Sequence, residues 1–209
     1  MELIKNLNWR YATKKFDSSK KVSANDIEKL KEAIQLSVSS YGLQLYKILI
    51  IENSEIREQL KPVSWNQSQI TDASHLFVFC NYTNVSPTDI DTFIKQTAKT
   101  RNLDIERLNG YGDFIKEKLN EKTPEEKTSW LKSQTYLALG NLLNACAELK
   151  IDACPMEGFE PEAYNKILNL EAQGLNAAVI APVGYRHNQD HTIGAKKVRK
   201  PFNLLFQET

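Results

Sequence analysis

Patterns that would tie the chain to metals, disulfides, membranes or nucleic acid are missing from it. Its cysteines, Cys80, Cys146 and Cys154, are odd in number and lack C-x-x-C spacing, which argues against a disulfide framework and a structural zinc site. Reduced thiols are expected. His187 and His191 stand four apart, but RHNQDHTIG is loop-forming in composition and spacing supplies no third ligand, so no metal is expected. The strongest apolar run, around Ala177 to Val183, falls far short of the roughly 20 residues that span a bilayer. The opening MELIKNLNWRYATKK has no secretory apolar region or small-residue cleavage site, and a cytoplasmic location is expected. With 27 basic and 26 acidic residues and a net charge of +1, no broad positive field exists for nucleic acid. No G-x-G-x-x-G follows a strand, so a Rossmann dinucleotide site is not supported.

What is present reads as one α+β domain. SANDIEKLKEAIQLS places Ser23 as N-cap, Asp26 three residues on, and Ile27, Leu30 and Ile34 at helical spacing. Residues 45–53, 75–82 and 175–185 are rich in β-branched and apolar side chains with polar or glycine boundaries, and predict three buried strands. A long helix is predicted from Thr123, with Pro124 in its first position, to about Lys150. Its second half, YLALGNLLNACAEL, is apolar almost all round and must be covered on most faces, which suggests a subunit interface. The tail RKPFNLLFQET carries Phe202, Leu204 and Phe206 at alternate positions and predicts an extended segment able to cross a partner.

Two sets of residues are candidates for chemistry, each against a plainer reading: an ordinary helix-to-helix connection for the first and solubilising terminal charges for the second. In DACPMEGF, residues 152–159, Pro155 stiffens the backbone and Gly158 leaves it unshielded, a shape suited to touching a flat ligand. Arg10 and Lys14 near one end, and Lys197 and Arg199 near the other, supply forked and compact positive charges suited to a phosphate dianion.

These residues belong to a set of motifs: R-x-x-x-K-x-F at 10–16, S-x-S-S-x-x-x-Q at 37–44, D-A-S-H at 72–75, P-M-E-G-F at 155–159, P-V-G at 182–184 and K-x-R-x-P at 197–201. Their order and spacing resemble the nitroreductase family, nearest to its oxygen-insensitive NAD(P)H nitroreductase and dihydropteridine reductase branch. The likeness lapses over residues 83–128, which reads as a variable helical insertion in a single domain spanning 1–209. It implies a mixed β-sheet flanked by helices, an intertwined homodimer, FMN as cofactor and NADH or NADPH as donor.

The resemblance also implies roles for individual residues. Arg10, Lys197 and Arg199 would hold the FMN phosphate, with Tyr11 and Ala12 beside it, and Lys14 would support charge at the pyrimidine edge of the flavin. Ser39, Ser40 and Gly42 would come from the second subunit, while Asn66 and Gln69 would border the pyrimidine. Pro155 and Met156 would pack on one ring face, with the amides of Glu157 and Gly158 reaching N5 and O4. In the stretch where the resemblance lapses, Tyr111 and Phe114 are candidates to roof the acceptor side, against core or surface packing as the commoner role of such residues. No side chain is expected to act as a nucleophile, because the flavin carries the chemistry in a ping-pong, two-electron reaction on small acceptors such as nitroaromatics, quinones or pteridines. Ala12 stands where many relatives have a serine, a loss of about 1 kcal/mol of hydrogen bonding. Gln69 replaces a second lysine, and Gly42 departs from the usual asparagine. These departures leave an FMN carrier or sensor without efficient turnover as the alternative.

Overall fold

The computed structural model describes residues 1–209. Strands β1 (Tyr46–Ile51), β2 (His75–Tyr82), β3 (Asp152–Ala153) and β4 (Leu175–Gly184) form one sheet in the order β1-β2-β4-β3. Every strand pair is antiparallel, with Ile48 opposite Phe79, Phe77 opposite Ala181 and Asp152 opposite Gly184. This corrects the expected mixed sheet: the one parallel pairing is an isolated bridge between Ala12 and Ala153. The three long strands lie where the apolar runs predict them. Strand β3 is only two residues long, too short to display a period.

β2 is apolar at nearly every position because both of its faces are buried. Leu76, Val78 and Cys80 pack with Leu60, Ile70, Tyr164 and Ile180 on one side. Phe77 and Phe79 pack with Leu30, Leu142, Val179 and Ala181 on the other. The first side is covered by α3 (Ser54–Leu60), α4 (Gln69–Asp72) and α8 (Pro161–Ile167). The second is covered by α2 (Ala24–Gln35) and α7 (Pro124–Glu148). Both helices begin as their sequences predict: Ser23 Oγ accepts the Asp26 N–H at 3.1 Å, and Thr123 and Glu126 close a reciprocal capping box.

Two of the sequence motifs are packing devices. Arg57, buried in α3, donates to the carbonyls of Ile70 at 2.7 Å, Thr71 at 2.6 Å and Ser74 at 3.1 Å, and to that of Ala73. It thereby satisfies the otherwise open end of α4. The D-A-S-H segment is thus fixed by its carbonyls, and Ser74 Oγ accepts the Val22 N–H at 2.8 Å. Gly184 of P-V-G backs directly onto it, since a Cβ there would lie 2.9 Å from the Ser74 nitrogen.

Residues 83–128 contain α5 (Pro87–Arg101) and α6 (Glu106–Asn120), which bury Ile90, Ile94, Ile115 and Leu119 in a small core of their own. Helix α1 (Glu2–Trp9) is tied to the end of α7 through Asn6, which bonds Glu148 and Lys150, yet Leu3, Ile4 and Leu7 face outward. Leu137 of α7 is also exposed. The tail corrects its expectation: residues 202–205 form a helical turn, α9 (Phe202–Leu205), and Phe206 beyond it is extended. With no strand beside them, these residues satisfy their backbone locally, Leu205 N–H to Pro201 and Phe206 N–H to Phe202.

Candidate active site

Opposite ends of the chain meet in a cleft of about 300 Å³ lined by Arg10, Tyr11, Ala12, Thr192, Ala195, Lys196, Lys197 and Arg199. Lys197 donates to the Arg10 carbonyl, which joins the two segments covalently distant in sequence. Neither Arg10, Lys14, Lys197 nor Arg199 takes part in an ion pair. Burial, and then the neighbouring Arg199, lower the proton affinity of Arg10; burial, then Arg10 and Arg199, do the same to Lys197. Uncompensated positive charge held together in a partly buried cleft is electrostatically suited to an anion.

Two buried carboxylates hold these segments in place. Asp190 Oδ2 accepts the Lys14 N–H at 2.8 Å, the Lys15 N–H at 3.1 Å and the Tyr11 hydroxyl at 3.2 Å. Its Oδ1 accepts from the Thr192 N–H at 2.9 Å and the Thr192 hydroxyl at 2.6 Å. Burial alone would raise the Asp190 carboxyl, but the bonds from Thr192 and from the Lys14 and Lys15 amides outweigh it and bring it down to about 2. Asp152 accepts the Arg186 N–H at 2.8 Å, pairs with its guanidinium at 2.6 Å, and takes the Thr13 hydroxyl at 3.3 Å. The guanidinium itself lies between the rings of Trp9 at 4.3 Å and Tyr11 at 4.5 Å.

From the bridge between Ala12 and Ala153 the chain runs directly into the 155–158 loop. Lys14 and Arg10 are close enough to Cys154 to act on its thiol, although burial dominates and pushes that thiol up. Burial likewise pushes Cys80 up to about 12, so these thiols stay protonated and unreactive. Pro155 is half-buried. Met156 corrects the expectation of a ring contact: its side chain is 6 % exposed within the core, and its backbone pairs with Ile180 at 2.8 and 3.1 Å. It supports the loop from behind. The N–H groups of Glu157 and Gly158 have no acceptor within the chain and are free to donate outward.

Against this loop lies a second one. The Gly158 carbonyl accepts from Gln67 Nε2 at 2.8 Å, and a Cβ at Gly158 would lie 2.9 Å from the Trp65 ring. Trp65 and Asn66 both adopt left-handed backbone, at φ 55° and 54°, and Trp65 is 68 % exposed. Asn66 is therefore brought beside the loop, whereas Gln69 is buried at the start of α4. Sequence reasoning missed Trp65, because an exposed aromatic at a left-handed turn has no periodic signature. It also missed Asp190, an acid in a loop.

Ser39, Ser40 and Gly42 are not brought to the cation cleft of the same chain. They occupy a turn against α7 and α5, where Ser40 N–H donates to Gln134 at 2.7 Å, Ser39 Oγ accepts the Gln44 N–H at 3.0 Å, and Gly42 abuts Phe93. Tyr41, Gly42 and Gln44 in this turn have φ of 56°, 79° and 48°. Phe114 of α6 meets Tyr41 edge to face at 6.5 Å, and Tyr111 lies exposed on the same helix. A larger hollow, about 500 Å³, lies between the 42–45 turn and α5, but Arg101 is its one cation.

The profile of the Nitroreductase family matches residues 7–185. The chain is 34% identical over 207 residues to the major NAD(P)H-flavin oxidoreductase of Aliivibrio fischeri, covering 96% of this chain and 95% of that protein. It is 27% identical to the oxygen-insensitive NAD(P)H nitroreductase of Salmonella typhimurium over the whole length of both. In structure it is similar to a chain from Exiguobacterium sibiricum solved in complex with FMN, at a TM-score of 0.83 and 19% identity, covering 100% of this chain and 96% of that one.

Proposed function

The chain belongs to the nitroreductase family, and we propose that it is a homodimeric FMN-dependent oxidoreductase that uses NADH or NADPH to reduce small oxidised acceptors, such as nitroaromatics, quinones or pteridines. The observation that carries this reading is the cleft where Arg10, Lys197 and Arg199 gather without any carboxylate partner. A phosphate dianion relieves that repulsion, and the unengaged amides of Glu157 and Gly158 offer donors to a planar heterocycle lying on the adjoining loop. These residues fit FMN. When bound, FMN supplies two-electron transfer from the nicotinamide to the acceptor in alternating half-reactions.

The chain's own contribution is binding and electrostatics. Arg10, Lys197 and Arg199 hold the phosphate, and Tyr11 and Ala12 wall it. Lys14, its amide fixed by Asp190, sets positive charge beside the pyrimidine edge, where Asn66 adds an amide. Pro155 would meet the ring from one side, and Gln69, buried at the start of α4, would border the pyrimidine.

The dimer follows from what one chain lacks. The Ser39–Gly42 turn lies away from its own cleft, so a second copy brings it to the cofactor. The outward faces of α1 and of α7 at Leu137, the open edge of β1 and the exposed tail at Phe202 and Phe206 supply the apolar surface for that assembly. The whole chain is one FMN-binding domain in this reading, with 83–128 as a variable acceptor-side insertion bearing Tyr111 and Phe114. A cytoplasmic location is part of the same reading; no helix is long and apolar enough to cross a membrane.

Purified protein is expected to be yellow, to bleach on anaerobic addition of NADH or NADPH, and to recover its colour with a quinone or nitroaromatic. Protein that takes up no FMN sinks the proposal. Bound FMN that neither nicotinamide bleaches leaves a flavin carrier instead.

A further inference from the structure

The peptide at Glu157 is only lightly restrained by the backbone of its loop. Met156 is paired to Ile180 on one side, and the Gly158 carbonyl is held by Gln67 on the other. Between them, the Glu157 amide has no acceptor, and its carbonyl receives only the Phe159 N–H at 2.9 Å. What tethers the residue to the body of the protein is its side chain, whose carboxylate accepts the hydroxyl of Tyr136 on α7. Tyr136 is itself seated on a rigid helix: it is half-buried against the core beneath α7, and Thr135 and Leu139 of the same helix are buried. Burial, then the Glu157 carboxylate, push the Tyr136 phenol up to about 12, so it remains a donor across the physiological range.

Resting on the FMN reading above, we propose that Tyr136 is a positioning residue: through the Glu157 carboxylate it aims the free amides of Glu157 and Gly158 at the reacting edge of the flavin. The bond has a second effect. A hydroxyl donating to a carboxylate draws density from it, so negative charge beside the ring is less opposed to the extra electrons of the reduced cofactor. An amide donor at O4, where electron density rises on reduction, and a carboxylate relieved of part of its charge both favour reduced over oxidised FMN. Gln134, two residues earlier on α7, accepts the Ser40 N–H, so the same helix also fixes the turn that this reading assigns to the second copy's site.

Tyr136→Phe keeps the ring and removes the donor. Titration of the FMN-stripped protein with oxidised FMN is expected to give affinity within about threefold of the wild type, because the phosphate contacts persist. The ratio of reduced-FMN to oxidised-FMN affinity is expected to fall about tenfold, read as a midpoint potential lower by about 30 mV for a two-electron couple. In a Glu157→Ala background, which removes the acceptor, adding Tyr136→Phe is expected to move the potential no further, since the route is already cut. A Tyr136→Phe potential equal to the wild type overturns the inference. A full additional shift in the Glu157→Ala background also overturns it, because Tyr136 would then act without Glu157. Wild-type protein that binds no FMN sinks the reading of the site itself and is detected before any variant is compared.

Discussion

At the cation cleft, segments from both ends of the chain are stitched together by buried carboxylates: Asp190 takes amides from Lys14, Lys15 and Thr192, and Asp152 clasps Arg186. The α5–α6 hairpin is built otherwise. It buries Ile90, Ile94, Ile115 and Leu119 among themselves and meets the rest of the chain through partly buried residues such as Tyr41, Leu43 and Trp130. In the proposed enzyme the first region grips a cofactor that never changes, and the second faces acceptors that do. The difference teaches that affinity for FMN and choice of acceptor can vary independently, one set by a braced ionic corner and the other by a detachable apolar roof.

The sharpest way to break this contrast is to cut the brace. Asp190→Ala leaves three amides and two hydroxyls without their acceptor and is expected to cost about 3 kcal/mol, lowering the melting temperature by roughly 6–12 °C. FMN retention is expected to fall with it; a variant that keeps wild-type stability and FMN would dissolve the distinction. The same carboxylate gives a pH signature. Its value near 2 lies below the ordinary 3.8, so its stabilisation is complete above about pH 4 and disappears as the pH falls towards 2. Melting curves across that window should show the loss in the wild type and a smaller one in Asp190→Asn.

Next in size is Arg199→Ala. Losing one charge-assisted contact to a dianion, roughly 1.5–3 kcal/mol, is expected to weaken FMN binding about tenfold to a little over a hundredfold in fluorescence titration. Phe114→Ala should do the reverse. Losing the edge contact with Tyr41, worth about 1 kcal/mol, is expected to change acceptor KM about fivefold with FMN affinity untouched. Equal effects on both would merge the two regions. The smallest expected effect is a gain: Gly110 in α6 faces open space, so Gly110→Ala should slow hydrogen exchange in that helix by about 0.5–1 kcal/mol. Gly112, whose Cβ would press on Ile94 at 3.1 Å, should show no such gain.

The sequence revealed most where one local rule acts. Ser23, Thr123 and Pro124 announce their helices through capping, and the apolar runs of β2 and β4 announce a sheet buried on both faces. The cationic residues were legible by chemical type, though only folding brings Arg10 to Arg199. Illegible were the features decided by distant partners. Met156 looks like a ligand contact beside Pro155, but its pairing with Ile180 turns it into the core. The tail alternates like a strand, yet with no neighbour to pair with it coils into a turn. Asp190, Trp65 and Tyr136 each owe their role to residues more than 20 positions away, which no periodicity encodes.

The unpaired cations of the cleft also bear on the choice of buffer. Stripped of its cofactor, the protein carries Arg10 and Arg199 in mutual repulsion, and any small oxyanion in solution competes for that seat. Sulfate or inorganic phosphate should therefore raise the melting point of the stripped protein more than chloride at equal ionic strength. Dissociation constants for FMN measured in phosphate will look weaker than those measured in a zwitterionic medium.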